Sequence, residues 1–184
     1  NNWYKQIDGV AMGSPLAPTL ASIFLSNLEK KIADYTFEKP LVYKRYVDDI
    51  FLVFKHRDHI IPFLNYMNNL HKNIKFTFEE EKESSIAFLD LLIKRKDKVF
   101  ETEIYRKTTD TGLYTSPDSF SDFKYKRNMI KGFIYRSWSL SSTFHNSAKS
   151  INTLVELLQK NGYSKSLLEG LIRETLDNCI KNRK

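Results

Sequence analysis

The chain has 184 residues, of which 41% are hydrophobic and 28% are charged, a composition typical of a folded globular protein of one domain or two small ones. No apolar run approaches the roughly 18 to 20 residues that a bilayer crossing needs, so we expect no membrane partner. The net charge of +7 lies in the second half, because residues 94–184 carry 18 Lys and Arg against 10 Asp and Glu. The single cysteine, Cys179, excludes an internal disulfide and is typical of a reducing intracellular compartment.

The first predicted element is a helix that follows a loop bracketed by Gly9 and Gly13. Ser14-Pro15 predicts the helix start, because Ser suits the N-cap and Pro the first helical position. Apolar residues at helical spacing predict that the helix runs to about Tyr35. Its predicted inward face consists of Leu16, Leu20, Ile23, Phe24, Leu28 and Ile32.

The next feature is the tetrapeptide Tyr46-Val47-Asp48-Asp49, which lies between two runs rich in β-branched and aromatic residues. The runs predict two strands, with the acids at the tip of a tight hairpin. Adjacent carboxylates repel each other unless a cation neutralises them, and carboxylate oxygens are ligands that Mg²⁺ prefers. The pattern therefore indicates a divalent-metal site, with a solvated Asp-rich turn as the alternative.

The remaining elements predict an α+β fold. Asp58 is expected to cap a second helix that ends near His71, and residues 108–121 are typical of a loop. The predicted order is a sheet with helices on one face, followed by an all-helical part. Strands are predicted over 74–78, 86–93 and 99–105, and helices over 123–141, 146–160 and 164–181, with a helix stop at Asn161-Gly162.

Residues 123–155 contain no acid at all. Cations attract a phosphate backbone, while aromatic rings lie against sugars and bases, so this stretch indicates nucleic-acid binding. The alternative is a solvated helix face with an aromatic core stripe. The basic and aromatic residues include Lys124, Lys126, Arg127, Lys131, Arg136 and Lys149, interleaved with Tyr125, Phe133, Tyr135, Trp138 and Phe144.

Four motifs give the chain a resemblance to reverse transcriptases. In order, they are QIDGVAMGSPLAP at 6–18, YVDD at 46–49, FLDL at 88–91 and YRKTTDTGLY at 105–114. The first motif is similar to that of Penelope-like retroelements. The resemblance implies the C-terminal part of a polymerase palm over 1–107, with an antiparallel sheet and helices on one face, and a helical thumb over 108–184. It also implies a nuclear protein that extends a DNA primer on an RNA template with deoxynucleoside triphosphates.

The same resemblance assigns roles to residues. Asp48 and Asp49 would hold Mg²⁺, or Mn²⁺ in its place, for two-metal nucleotidyl transfer. The loop Met12-Gly13-Ser14 would line the incoming nucleotide, although a simple helix-entry turn would use similar residues. Phe88-Leu89-Asp90 would be the primer-grip turn, with a buried strand as the alternative. Lys82 would be a general acid for pyrophosphate, against the alternative of a solvated acidic turn. The implied contacts to the nucleic-acid backbone are Arg106, Lys107, Lys126, Lys131 and Arg136.

Several positions depart from the pattern of the family. Met12 stands where many reverse transcriptases have Gln, Asp90 where many have Gly, and Thr108 where Pro is usual. The third carboxylate of the family's site lies on an upstream strand, so we expect that strand and the fingers to belong to a longer parent protein. With two carboxylates, we expect the chain alone to lack polymerase activity.

Two other functions remain open. The helix, break and helix over 151–180 resemble a helix-turn-helix, which would make the chain a non-enzymatic nucleic-acid-binding module. Plain helix packing is the preferred interpretation, because these helices are not basic enough to grip DNA alone. The chain would otherwise be an inactive retroelement-derived scaffold, but a scaffold has no need of Asp48 and Asp49.

Overall fold

The structure is a computed structural model that describes residues 3–7, 9–11 and 13–182. Its fold is α+β, as predicted, with the described strands in two small antiparallel sheets. The chain forms two compact units, with the boundary after Glu79. The palm and thumb boundary predicted at residue 107 is a functional division, and it stays a prediction.

The first unit contains a hairpin and two helices. Helix α1 is Ala17–Lys30 and continues as a 3-10 turn over Lys31–Asp34. Strands β1 (Val42–Tyr46) and β2 (Asp49–Val53) pair antiparallel, and helix α2 (Ile60–Asn69) follows a 3-10 turn at Arg57–His59. The core of this unit consists of the buried residues Tyr35, Phe63 and Met67, with Ile32, Ile50, Leu52, Phe54, Tyr66, Leu70 and Phe76 packed against them.

Both predicted helix caps in this unit are wrong. The N-cap of α1 is Leu16, because the amide of Ala17 bonds to the carbonyl oxygen of Ser14 at 3.0 Å in a preceding turn. The N-cap of α2 is His59, because Asp58 is taken up in the 3-10 turn. Neither helix start has a side-chain cap hydrogen bond, so both helices depend on packing more than on local capping.

Most of the apolar face predicted for α1 is exposed. Leu28 is 5% exposed and Ile32 packs against the core, which agrees with the prediction. The four residues nearer the helix start, Leu16, Leu20, Ile23 and Phe24, are between 42% and 65% exposed.

The strand predicted over 74–78 is not formed. The side chain of Asn68 instead pairs with the backbone of Phe76, accepting from its amide at 2.6 Å and donating to its carbonyl oxygen at 3.1 Å. This side-chain clamp satisfies the backbone groups that a neighbouring strand would otherwise bond. The apolar ring of Phe76 still packs in the core, which is the signal that suggested a strand.

The second unit begins with a three-stranded sheet in the order β3-β4-β5. The strands are β3 (Ser85–Phe88), β4 (Leu91–Lys96) and β5 (Val99–Ile104). The single strand predicted over 86–93 is therefore wrong, since the chain reverses at Leu89-Asp90 and Phe88 pairs with Leu91. Leu89 has φ 56°, a left-handed conformation that an unbroken strand does not allow.

Three helices complete the second unit and agree with the prediction. They are α3 (Phe123–Ser139), α4 (Phe144–Lys160) and α5 (Lys165–Lys181). The side chains of Asp122 and Thr143 cap α3 and α4 by accepting from the amides of Lys124 and Asn146. Their shared core contains Ile130, Ile134, Ile151, Leu154, Leu158, Tyr163, Leu168 and Leu171. Within the described residues, no helix combines the length and apolar character that a membrane crossing requires.

Candidate functional site

The two acids lie at the apex of the first hairpin, as predicted. Tyr46 pairs with Asp49 as the last pair of the ladder, so Val47 and Asp48 form the connecting turn. Residues opposite each other in an antiparallel pair share one face of the sheet, so Asp49 lies on the face of Tyr46, which is 61% exposed. Ile50 packs into the core from the other face. The carboxylates of Asp48 and Asp49 are both exposed.

The acids carry adjacent charges without local compensation. Neither Asp48 nor Asp49 forms an ion pair within the described part of the chain. Two carboxylates at neighbouring positions offer hard oxygen ligands, a donor set that fits Mg²⁺, which commonly binds through one or two carboxylates together with waters and substrate phosphates. No group of three or more His, Cys, Asp or Glu side chains suited to a metal occurs among the residues that the structure describes. The donor set therefore fits part of a metal site.

An ion pair that the sequence analysis missed anchors this hairpin to α1. Arg45 lies on the inward face of β1, and its guanidinium donates to Glu29 from Nε to Oε1 at 2.6 Å and from Nη2 to Oε2 at 3.2 Å. The Tyr43 hydroxyl donates to the same Oε1 at 3.0 Å. These bonds, with that to Arg45 the stronger influence, hold the pKa of Glu29 below its ordinary value. Strand alternation was the available signal, since Tyr43 and Arg45 share the face of core residue Ile50 and an inward Arg calls for an acid.

Arg45 also reaches the apex itself. Its Nη1 donates to the carbonyl oxygen of Val47 at 3.1 Å, and that carbonyl belongs to the peptide joining Val47 to Asp48. Val47 has φ 54°, which is an outlier for a β-branched residue. One guanidinium therefore bonds both the helix and the strained turn that presents the acids.

The predicted nucleotide loop is described in part. Met12 lies outside the described residues, so its assignment stays a prediction. Gly13 has φ +88°, and apart from its chain neighbours no atom of the described residues lies within 4 Å of the position that a Cβ would occupy. A ligand can therefore approach this backbone closely. Ser14 is partly buried, and its amide bonds to the carbonyl oxygen of Ala11 at 3.2 Å.

The predicted grip turn is a two-residue reversal between β3 and β4. Leu89 is 38% exposed, and the Asp90 carbonyl oxygen accepts from the amide of Tyr105 at 2.8 Å. The Asp90 carboxylate forms an ion pair with Arg136 of α3. The acid that stands where many relatives have Gly thus connects this turn to the acid-free helix.

Lys82 lies in the acidic turn that precedes β3. Its backbone pairs with Ser85 through two hydrogen bonds of 2.9 Å, and its side chain is exposed. The predicted proton-transfer role stays a prediction, since Lys82 and the aspartates belong to different compact units.

The five cations predicted to contact nucleic acid differ in their surroundings. Lys126 is 4% exposed, and its Nζ donates to the carbonyl oxygens of Pro117 at 2.6 Å and Ser119 at 2.7 Å. This lysine holds the loop that precedes α3, and a phosphate would have to break both bonds to reach it. Arg106 bonds to Asp110 and Tyr114, whereas Lys107 is exposed and forms no ion pair in the described part of the chain.

Lys131 and Arg136 are paired with carboxylates at the surface. Glu174 of α5 accepts from Lys131 at 2.5 Å and, with both oxygens, from Arg127 at 2.9 Å. These two cations, Lys131 first, lower the pKa of Glu174. Arg136 pairs with Asp90, as described above.

Exposed aromatic rings accompany these cations. Phe123, Tyr125 and Tyr135 of α3 are 49%, 62% and 57% exposed. At about 3.6 residues per turn, Tyr125, Tyr135, Gly132 and Arg136 fall within an arc of about 100° on one side of α3, with Gly132 between the two tyrosines. Around Gly132 the space for a Cβ is open.

Comparison with known protein families agrees with this geometry. Residues 1–125 match the model of the family described as reverse transcriptase (RNA-dependent DNA polymerase). The chain belongs to the reverse transcriptase family. Residues 113–173 match the family described as animal helix-turn-helix domain, which covers α3, α4 and the first half of α5. No curated protein and no solved structure matches the chain.

Membership in the reverse transcriptase family confirms the broad prediction of a nucleotidyltransferase family with nucleic-acid and deoxynucleotide partners. These enzymes generally use Mg²⁺, in keeping with the two exposed carboxylates of the apex. The helix-turn-helix match is consistent with nucleic-acid binding. It includes most of the helix, break and helix over 151–180, for which plain helix packing was the preferred interpretation. The roles of individual residues stay predictions.

Proposed function

We propose that the chain is the C-terminal part of the palm, with the thumb, of a nuclear reverse transcriptase of the Penelope-like type. In the parent enzyme it would help to extend a DNA primer on an RNA template. The motif at residues 6–18 and its order before the YVDD hairpin support this placement.

The observation that carries the proposal is the hairpin apex. Asp48 and Asp49 are adjacent, exposed and without an ion pair in the described part of the chain, yet their turn is anchored through Arg45. An ordinary solvated turn has no need of such anchoring, whereas a metal site needs carboxylates held in one orientation.

The proposed chemistry divides among the residues of this chain. Asp48 and Asp49 would hold Mg²⁺, which would supply the positive charge that activates the primer 3′-hydroxyl and stabilises the leaving pyrophosphate. The open backbone at Gly13 would let the incoming nucleotide approach the start of α1. The face of α3 around Tyr125, Tyr135 and Arg136 would lie against the primer–template duplex.

A third carboxylate would come from the parent protein's upstream strand, so the chain alone would not polymerise. Metal-dependent primer extension by the 184-residue chain would contradict this part of the proposal.

Calorimetric titration with Mn²⁺ tests the metal site. The wild-type chain should bind Mn²⁺ weakly, and Asp48→Asn should abolish that binding. Asp97→Asn is the matched control, because Asp97 is also an exposed aspartate in a hairpin turn but has no acid beside it. Equal binding by the wild-type chain and Asp48→Asn would overturn the assignment.

A second function is favoured by the helix-turn-helix match. In this alternative, the three C-terminal helices bind duplex nucleic acid without any catalytic role for the hairpin. Duplex binding that falls steeply with salt, ignores Mg²⁺ and survives Asp48→Asn would support it, if the Mn²⁺ titration also shows no site at the apex.

A further inference from the structure

We propose that Arg45 is a positioning residue for the two aspartates, and that Glu29 of α1 anchors it. This inference rests on the proposed metal site and adds two residues to it. Arg45 would act through the backbone of the apex, because its contact there is with the Val47 carbonyl oxygen.

The first step of the argument is the geometry at Glu29. The two nitrogens of Arg45 that meet the two carboxylate oxygens of Glu29 fix the guanidinium plane. The side chain of Arg45 is 14% exposed and that of Glu29 is 26% exposed, so water competes little for these bonds. These two bonds give the guanidinium one defined position relative to α1.

The second step concerns Nη1, the guanidinium nitrogen of Arg45 that bonds the turn. Nη1 donates to the Val47 carbonyl oxygen at 3.1 Å, directly before Asp48 in the chain. Val47 is held at φ 54°, a conformation that costs free energy for a β-branched residue and persists only when its surroundings fix it. The bond from Arg45 supplies such a constraint, since it joins a core-facing side chain to the backbone of the turn.

The third step is electrostatic. The charge of Arg45 is matched by Glu29 in a bidentate pair. Arg45 can therefore fix the turn without cancelling the negative charge of Asp48 and Asp49, which stays available to a cation. A lysine at position 45 would keep the charge but could not bond Glu29 in two places and Val47 as well.

The test compares Arg45→Lys with the wild-type chain by two measurements. The first is the rate of amide hydrogen exchange at Asp48 and Asp49, read by NMR against the amides of α2. The second is the dissociation constant for Mn²⁺. We expect Arg45→Lys to speed exchange at the two aspartates by about tenfold and to weaken Mn²⁺ binding by about tenfold, the size of one hydrogen bond from a charged donor. Exchange in α2 should stay at its wild-type rate.

Tyr43→Phe is the matched control. It removes a bond to the same Glu29 oxygen but leaves the bond from Arg45 to Val47, so exchange at the apex and Mn²⁺ affinity should stay close to wild type. If Arg45→Lys does not fold, Glu29→Gln decides the question by the ratio of exchange at Asp48 and Asp49 to exchange in α2. This variant loosens the guanidinium while keeping the shape of the side chain, so the ratio should rise, and an unchanged ratio would overturn the positioning role.

The outcomes separate this inference from the proposed function. Wild-type exchange at the apex of Arg45→Lys, or faster exchange throughout the first unit including α2, would overturn the positioning role. Unchanged Mn²⁺ affinity in Arg45→Lys would overturn it as well. Equal Mn²⁺ binding by the wild-type chain and Asp48→Asn would overturn the metal site, while the exchange comparison would still decide whether Arg45 holds the turn.

Discussion

At the scale of single residues, the hydrogen-bond and ion-pair partners of a charged side chain decide whether it is free to contact a ligand. Lys126 and Lys124 are two residues apart in an acid-free stretch, yet Lys126 is buried against two carbonyl oxygens and Lys124 is exposed. Composition predicted a phosphate contact at Lys126 because sequence does not show which lysine the loop before α3 covers. Asp48 and Asp49 were predictable, since their turn position follows from local strand pattern alone.

Lys126→Met should destabilise the second unit. The substitution leaves the carbonyl oxygens of the partly buried Pro117 and Ser119 without their donor, at a cost of roughly 1 to 3 kcal/mol. The free energy of unfolding from urea denaturation measures this, and Lys124→Met, at an exposed site, should change it by less than about 0.5 kcal/mol. If the Lys126 side chain instead contacts nucleic acid, Lys126→Met would reduce the salt dependence of duplex binding and leave the free energy of unfolding unchanged.

Glu29 should make the first unit sensitive to acid. Its pKa is lowered in the folded chain, so its contribution to stability is complete above the ordinary value of 4.5 and is lost as the pH falls through the lower folded value. Glu29→Gln should therefore be less stable than wild type at pH 7, by roughly 1 to 2 kcal/mol, with the gap closing at low pH. Hydrogen-exchange rates of the α2 amides, compared between Glu29→Gln and the wild-type chain at each pH from 7 to 3, check this. A stability difference that widens in acid would contradict it.

At the scale of elements, the helices of the second unit were predictable because the signals at their ends are local. Side chains cap α3 and α4 at their starts, and Gly162 adopts φ +97° after α4. The cap signals of the first unit were equally local but were overridden by the turns that precede α1 and α2. The strand at 74–78 failed because Asn68, from the preceding helix, satisfies the backbone of Phe76. The family resemblance predicted a turn at Phe88-Leu89-Asp90, whereas the apolar residues on both sides of Asp90 favoured one strand, since β3 and β4 are both partly buried.

Gly132→Ala should stabilise α3. A glycine inside a helix costs about 1 kcal/mol relative to alanine. Apart from the chain neighbours and the backbone of α3 itself, no atom of the described residues lies within 4 Å of the added Cβ. Gly170→Ala in α5 is the matched control, with equally open space and the same expected gain. If the Tyr125–Tyr135 face meets the duplex closely, Gly132→Ala should also weaken duplex binding while Gly170→Ala does not. Equal duplex affinity for Gly132→Ala and Gly170→Ala would show that this face of α3 is not part of the interface.

At the scale of the whole molecule, the number of basic residues overstates how many cations a nucleic acid can contact. Arg127 and Lys131 share Glu174, Arg136 pairs with Asp90, and Lys126 is buried. The net charge of +7 still predicts attraction of a polyanion, and the family matches agree with that partner. A count of charges along the sequence does not reveal such ion pairs, because their partners are distant in the chain.

Glu174→Gln should strengthen duplex binding and steepen its salt dependence. The change releases Arg127 and Lys131 to bind phosphates, which adds about one unit of log–log slope for each phosphate neutralised. Asp177→Asn, an exposed acid of the same helix, removes the same charge and is the control. Fluorescence anisotropy at several salt concentrations measures both. Identical slopes for the two variants would show that the effect is net charge alone.

The left-handed Val47 has a consequence for any attempt to evolve this protein. Glycine adopts that conformation without steric penalty, so Val47→Gly would relieve the apex, and a screen for heat resistance alone would favour it. Val47→Gly would also widen the range of orientations open to Asp48. Selection for thermal stability and selection for divalent-ion binding would therefore favour different residues at position 47.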